Sequence, residues 1–190
     1  MLILGRMQGS FNPQKIKIII GLGNPGEKYE NTYHNVGFLF LDYLTKNLQI
    51  SNFSARSGSA SGGQFLISKS DVYMNESGRF VYKTLKDKKI KPDALLIVHD
   101  DSDIAFQNYK FSFGRNSAGH KGIESIIKTL KTNRFWRLRI GVRKKNEKVR
   151  QKAESFVLKN IASQDKKMLE NVFKKITNAI FTGTAYRNGN

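Results

Sequence analysis

A single α/β domain, an α/β/α sandwich around a mixed, largely parallel twisted sheet, is predicted by three features of this 190-residue chain. Two aliphatic runs, IKIII at 16–20 and ALLIV at 94–98, read as strands buried on both faces, as a parallel sheet requires. Segments with helical spacing of apolar residues alternate with such runs, the pattern of strand-helix-strand crossovers. An apolar share of 39% in a chain of this length fills one core and makes a second domain unlikely on size alone.

The elements follow in order. Residues 1–14, MLILGRMQGSFNPQ, have too short an apolar stretch and too little charge for a secretory signal, and are expected to form a disordered extension ahead of a domain over 15–190. The strand at 16–20 stops at GLGNPG. That loop matches the dinucleotide fingerprint G-x-G-x-x-G, but a dinucleotide motif passes straight into its helix, whereas Pro25-Gly26 is a turn pair followed by polar residues. A helix over 36–48 is apolar on most sides, with Asn31 or Thr32 placed to cap it. Residues 51–63 are rich in Ser and Gly and read as a flexible loop, and 64–68 as a strand. An amphipathic helix over 76–89 ends before Pro92, and the strand at 94–98 closes on His99-Asp100-Asp101. The alternating NYKFSF at 108–113 reads as a more exposed strand. After the loop GRNSAGHKG, residues 121–132 put Ile123, Ile126, Ile127 and Leu130 on one helical face and lysines on the other. WRLRIGV is a further strand, 144–150 a charged loop, and 164–181 a last helix with Met168, Leu169, Val172, Phe173, Ile176 and Ile180 on its core face.

Lys and Arg number 33 against 15 Asp and Glu, a net charge of +18, which points to a polyanionic partner and first of all to nucleic acid. Lys110, Arg115, Lys121, Lys128, Lys131, Arg134, Arg137 and Arg139 fall in one segment, where Glu124 is the lone acid of 104–143. A solvated basic face accounts for many such runs, but one this lopsided favours phosphate tracking. No apolar run approaches membrane-spanning length, so no membrane partner is expected. The absence of cysteine rules out disulfides, thiolate zinc sites and cysteine nucleophiles, and is compatible with a cytoplasmic location.

Candidate chemistry gathers at strand ends, the edge where open α/β sheets bind ligands. His34 follows the glycine loop, and Asp100 follows ALLIV. Alone, a loop histidine is usually a packing residue, and a strand-end aspartate a turn or cap carboxylate. Together, with the amides of Asn24, Asn35 and Asn75 and no Ser or Cys in a nucleophile elbow, they fit an imidazole that activates water directly while a carboxylate orients it. Such equipment suits an activated ester better than an amide, and the glycine and amide loops can donate to a developing oxyanion. His120, in SAGHKG, is the second suggestively placed histidine.

Taken in order, GLGNPGEKYENTYHNVGF, YMNESG, VHDDSD, SAGHKGIESI and FWRLRIGV resemble the bacterial-type peptidyl-tRNA hydrolases, from about residue 15 onward. The resemblance implies an α/β/α fold that cleaves the ester between a peptide and the terminal ribose of tRNA, without metal or cofactor, as a monomer. It implies His34 as general base and Asp100 as its orienting carboxylate. Asn24, Tyr29, Met74 and Asn75 would bind the peptide and terminal nucleotide, joined by Lys121, and Arg139, with Lys110, Arg115 and Arg137, would contact tRNA. The chain departs from the family pattern at Lys121, where asparagine usually follows the loop histidine, and at Ser112, where a phosphate-binding lysine is usual. Tyr33 stands where arginine is common, and 51–63 is shorter on strand residues. A cation at 121 is expected to lower the pKa of His34. The segment 144–158 is the expected lid. The rival reading, a non-catalytic RNA-binding protein on the same fold, draws on Lys121 and Ser112; retention of His34 and Asp100 argues for the enzyme.

Overall fold

The computed structural model describes residues 11–47, 59–62, 65–144 and 156–181. Ile18, Ile19 and Ile20 have no solvent exposure on either side, so a strand built from them must lie inside a sheet. That strand, β1 (Ile18–Gly21), runs parallel between β3 (Phe65–Lys69) and β4 (Leu95–Ala105). β4 pairs on its far side, again parallel, with β6 (Trp136–Arg143), and β5 (Tyr109–Phe113) closes that edge antiparallel to β6. At the other edge β2 (Ser59–Gly62) runs antiparallel to β3. The order β2-β3-β1-β4-β6-β5 is the mixed, largely parallel sheet that the sequence predicts.

Side-chain alternation along these strands divides the core in two. Ile19, Leu96, Val98, Leu138 and Ile140 face α1 (Val36–Asn47) and α4 (Ser163–Phe181), whose Phe40, Leu44, Leu169, Val172 and Phe173 complete that half. Ile18, Ile20, Leu95 and Ile97 face α2 (Ser77–Asp87) and α3 (Lys121–Leu130) through Val81, Leu85, Ile123 and Ile126. From β1 the chain turns toward β3, and from β4 it turns the other way, toward β5 and β6. The crevice between the carboxyl ends of β1 and β4 is therefore a topological switch point, where open α/β sheets take ligands.

Four expectations need correction. β4 does not close at His99-Asp100-Asp101 but continues to Ala105, because β6 offers it a parallel partner from Leu96↔Trp136 through Asp101↔Gly141, with a register shift before Ala105↔Arg143. Asp100 is thus a residue within a strand, not one at its end. β5 is not an exposed strand: Tyr109, Phe111 and Ser112 are buried, and Phe11 stacks on Phe111 with ring centroids 3.9 Å apart. Residues 59–62, read as loop, pair with β3, since backbone ladders do not require apolar side chains. Thr32 does not cap α1; it precedes a 3₁₀ turn, Tyr33–Asn35, and its hydroxyl donates back to Tyr29 O at 2.9 Å.

The remainder of 51–63 and residues 1–10 lie outside the described residues, as do 145–155 of the expected lid. Residues 11–15 pack on the sheet through Phe11 and a 3₁₀ turn, Pro13–Lys15, in which Asn12 Oδ1 accepts from Gln14 N. Among the described residues, no helix is long and apolar enough to cross a membrane.

α2 and α3 pack unusually close at Gly78, where a Cβ would lie 2.3 Å from Ser125 O, a backbone atom that cannot swing away. Alanine gains roughly 1 kcal/mol of helix propensity over glycine, but forcing a methyl into this space costs about 1–3 kcal/mol or more. Gly78→Ala is therefore expected to lower the urea midpoint at unchanged m-value; an equal or higher midpoint would contradict the close approach.

Candidate active site

Beyond β1 the chain passes through buried Leu22 to Asn24, and no helix starts at the glycine loop. Gly26 instead leads into a 3₁₀ turn, Glu27–Tyr29, so the loop lacks the helix amino terminus that a pyrophosphate would need. Asn24 is locked on three sides. Its backbone N–H donates to Asn35 Oδ1 at 2.8 Å, its carbonyl accepts from Asn35 Nδ2 at 2.9 Å, and its Oδ1 accepts from Met74 N at 2.8 Å. An amide held by its oxygen in this way offers its Nδ2 protons to a ligand. Met74 is buried beneath Gly122, where an added Cβ would come within 2.5 Å of Met74 Sδ and 3.2 Å of His120 Cε1. Glycine at 122 is what lets the Met74 turn, Leu22 and His120 converge. Asn75 is exposed beside Met74. Tyr29 meets Tyr73 edge to face at 6.4 Å, with Lys28 Nζ 4.9 Å from the Tyr29 ring centre.

His34 and Asp100 form a second cluster, in the lining of a cavity that does not include Asn24, Tyr29, Met74 or Asn75. His34 Nδ1 lies 2.7 Å from Asp100 Oδ1, and His120 Nε2 lies 3.0 Å from the same oxygen. The other nitrogen of His120 fixes its proton: Nδ1 is at the amino cap of α3 and accepts from Ile123 N at 3.3 Å, so Nε2 carries the hydrogen and donates to Asp100. His34 likewise donates from Nδ1, since the carboxylate can only accept, which leaves a lone pair on its Nε2. A cavity of about 430 Å³ is lined by His34, Asp100, Asp103, His120 and Lys121. The donor atoms of His34, Asp100 and His120 lie within 4.8 Å of one another, close enough to suggest a metal site. A cation would need an unprotonated His120 Nε2, which the cap bond at Nδ1 opposes, so the trio is better described as a hydrogen-bonded chain.

Burial alone would lower the pKa of His34, but the charge and hydrogen bond of Asp100 outweigh it and the pKa ends above the ordinary histidine value. The lowering expected from Lys121 does not enter: its ammonium lies 3.9 Å from Glu124 Oε2 on an exposed surface, and burial and Asp100 alone set the shift. Burial would raise the Asp100 carboxyl; His34 and then His120 overcome it and hold the group far below the usual carboxylate range. His99 is buried, donates from Nδ1 to Asp100 O, and is kept neutral by burial, then by His120 and Arg137.

The predicted tRNA contacts separate into two kinds. Lys110 and Arg115 are exposed, and Lys110 stands opposite Arg139 across the β5–β6 ladder. Arg139 is partly exposed and donates from Nε to Asp101 Oδ2 at 2.7 Å. Arg137 does not join them: it is 2% exposed and its Nη1 donates to Asn116 O at 3.1 Å, so it braces the loop that delivers His120 instead of meeting a phosphate. Alternation puts residues 137 and 139 on one face, and the covering loop that separates their roles is a tertiary feature. Sequence reading also undervalued His120, whose place immediately before an amphipathic helix was the available cap signal. It missed Val157, whose carbonyl accepts from His34 N at 2.8 Å.

Residues 18–187 match the family model described as peptidyl-tRNA hydrolase. The peptidyl-tRNA hydrolase of Aquifex aeolicus is 37% identical over 84% of this chain and 85% of its own length. That of Sulfurihydrogenibium sp. is 39% identical over 90% and 92%. The crystal structure of the peptidyl-tRNA hydrolase from Acinetobacter baumannii superposes with a TM-score of 0.76 at 28% identity, over 90% of each chain.

The loop before His120 holds Ala118 at φ 50° and Gly119 at φ 83°. A left-handed alanine costs roughly 1–2 kcal/mol, against about 0.4–1 kcal/mol for the extra unfolded-state freedom of glycine. Ala118→Gly is expected to raise the melting temperature by about 1–3 °C. A lower melting temperature would show that the backbone strain is not carried there.

Proposed function

The chain belongs to the peptidyl-tRNA hydrolase family and is an enzyme of that activity, and from this membership and the geometry of the site we propose that His34 is its general base. The observation that carries the proposal is the 2.7 Å bond from His34 Nδ1 to Asp100, which fixes the tautomer and leaves Nε2 free as a base. His34 Nε2 takes a proton from water as its oxygen attacks the ester carbonyl carbon. Asn24 Nδ2 and the neighbouring Asn75 donate to the developing oxyanion. When the tetrahedral intermediate collapses, the ribose oxygen leaves with the proton from the imidazolium, giving a peptide carboxylate and tRNA with a free terminal hydroxyl. Asp100 stabilises the imidazolium throughout without taking its proton. His120, a second donor to Asp100 Oδ1, keeps that carboxylate in place.

Within the same reading, Lys110, Arg115 and Arg139 contact tRNA phosphates, Tyr29 and Met74 line the peptide side, and Lys121 reaches the ligand from the rim. The enzyme works as a monomer in the cytoplasm, as one domain over 15–190, without metal or cofactor. The His34–Asp100 bond favours this reading over a non-catalytic RNA binder, which has no use for an oriented imidazole.

His34→Ala should reduce turnover of a peptidyl-tRNA substrate by about 10²–10⁴-fold while tRNA affinity changes little. Equal losses in both would remove His34 from the chemistry. Because the base must be neutral and its pKa is raised, kcat/KM should climb with pH through a value above the ordinary histidine pKa of about 6.5. Asp100→Asn, which removes the charge that raises it, should move this limb to lower pH and cut kcat; a limb that stays put would assign it to another group.

Arg139→Ala should weaken tRNA binding and flatten the slope of log affinity against log salt by about one unit for each phosphate no longer neutralised. An unchanged slope would exclude Arg139 from the tRNA interface.

A further inference from the structure

The turn that carries His34 is held from below by a segment more than a hundred residues away. Ile161 N donates to Asn31 O at 2.7 Å, Tyr33 N to Lys159 O at 3.3 Å and His34 N to Val157 O at 2.8 Å, with an isolated bridge between Thr32 and Asn160. Lys166 Nζ donates to Asn31 Oδ1 at 2.7 Å. These bonds fasten the backbone. One side-chain cluster fastens the turn by a lever: Tyr33 OH donates to Asp165 Oδ2 at 2.5 Å, and Lys144 Nζ lies 2.6 Å from the same oxygen. Tyr33 and Asp165 are 6% exposed each, and Phe106 meets the Tyr33 ring edge to face at 6.3 Å.

We propose that Asp165 is a positioning residue for the hydrolysis, which through Tyr33 sets the angle at which the neighbouring His34 meets Asp100. Tyr33 and His34 are consecutive in a single 3₁₀ turn, so their side chains leave the backbone in different directions and any rotation of one about the turn axis rotates the other. His34 is gripped at its ring by Asp100 and the turn's backbone by residues 157–161, bonds that all lie on one side and leave to a side-chain anchor the tilt of the turn about them. Tyr33, anchored in the first turn of α4, removes it. Asp165 suits the anchor. As a carboxylate it is favoured in the first turn of a helix, and Lys144 balances its charge from the end of β6.

Charged and titratable groups face the lever at both ends. At His34 they are Asp100 from β4 and His120 from the start of α3. At Asp165 they are Tyr33 and Lys144, with Lys166 next along α4 bonded to Asn31. Burial, and then Asp165, raises the Tyr33 pKa, so the phenol stays a donor through the working range. Burial works to raise the Asp165 carboxyl, but hydrogen bonds from Lys144 and Tyr33 bring it below its ordinary value.

The proposal rests on the assignment of His34 as base, and the experiment separates the two. Steady-state kinetics on an N-acylaminoacyl-tRNA would be compared for the intact chain, His34→Ala, Tyr33→Phe, Asp165→Ala and Asp165→Asn, with melting temperatures for all. Tyr33→Phe keeps the ring and its packing and removes the lever alone. The expected result is a kcat about 10- to 100-fold lower in Tyr33→Phe and Asp165→Ala, with KM within twofold and the acid limb of kcat/KM moved to lower pH as the His34–Asp100 bond loosens. Asp165→Asn, which still accepts from the phenol, should recover most of the turnover. An unaltered kcat and acid limb in Tyr33→Phe would overturn the proposal. So would a loss in Asp165→Ala that Asp165→Asn shares in full. If His34→Ala retains full turnover, the base assignment falls instead, and the lever with it.

Discussion

One carboxylate oxygen organises this molecule. Asp100 Oδ1 lies at hydrogen-bond distance from both His34 and His120, in a residue 3% exposed. A buried charge without such partners would cost several kcal/mol, so the carboxylate and its two donors have to come together or not at all. Each has accordingly been given a rigid mount. Asp100 sits within β4, paired with Ile140 of β6; His34 is in a turn sewn to the segment before α4; His120 caps α3 with its second nitrogen. The surrounding structure can be read as what it takes to bring three distant pieces of chain to one atom.

Much of this was legible in the sequence, and the reasons for success and failure are physical. β1 and the first half of β4 declared themselves because runs such as III and LLIV can be stable only when buried on both faces. The amphipathic faces of α3 and α4 did so because their spacing repeats. The reach of β4 to Ala105 was not legible, since polar residues join a strand when a neighbour offers hydrogen bonds, and that neighbour, β6, is distant in sequence. Phe111 of β5 is covered by Phe11, from the far end of the chain. His34 and Asp100 were found as a pair because each follows an aliphatic run, and the two runs lie side by side and parallel in β1 and β4. Arg137 was misread because alternation tells which face a side chain takes, and a loop anchored at Asn116 O decides whether that face is open. The Tyr33–Asp165 bond spans 132 residues and has no local signature.

Charge is distributed unevenly between the β5–β6 face and the cavity. Lys110 and Arg139 stand opposite each other across the β5–β6 ladder and Arg115 is exposed beyond the end of β5, while Asp100, Asp101 and Asp103 border the cavity together with Lys121. Asp101 takes the Nε of Arg139 and so stands between the two regions. At His34 burial would lower the proton affinity of the imidazole, and the charge and hydrogen bond of Asp100 together more than offset it.

The stitching of the His34 turn to residues 157–161 bears on how the protein itself is made. His34 is translated early, yet its backbone N–H finds its acceptor only when Val157 has been made and has emerged, and the bridge from Thr32 waits for Asn160. Order of synthesis therefore sets when this turn can close, because its backbone partners are made more than a hundred residues after it.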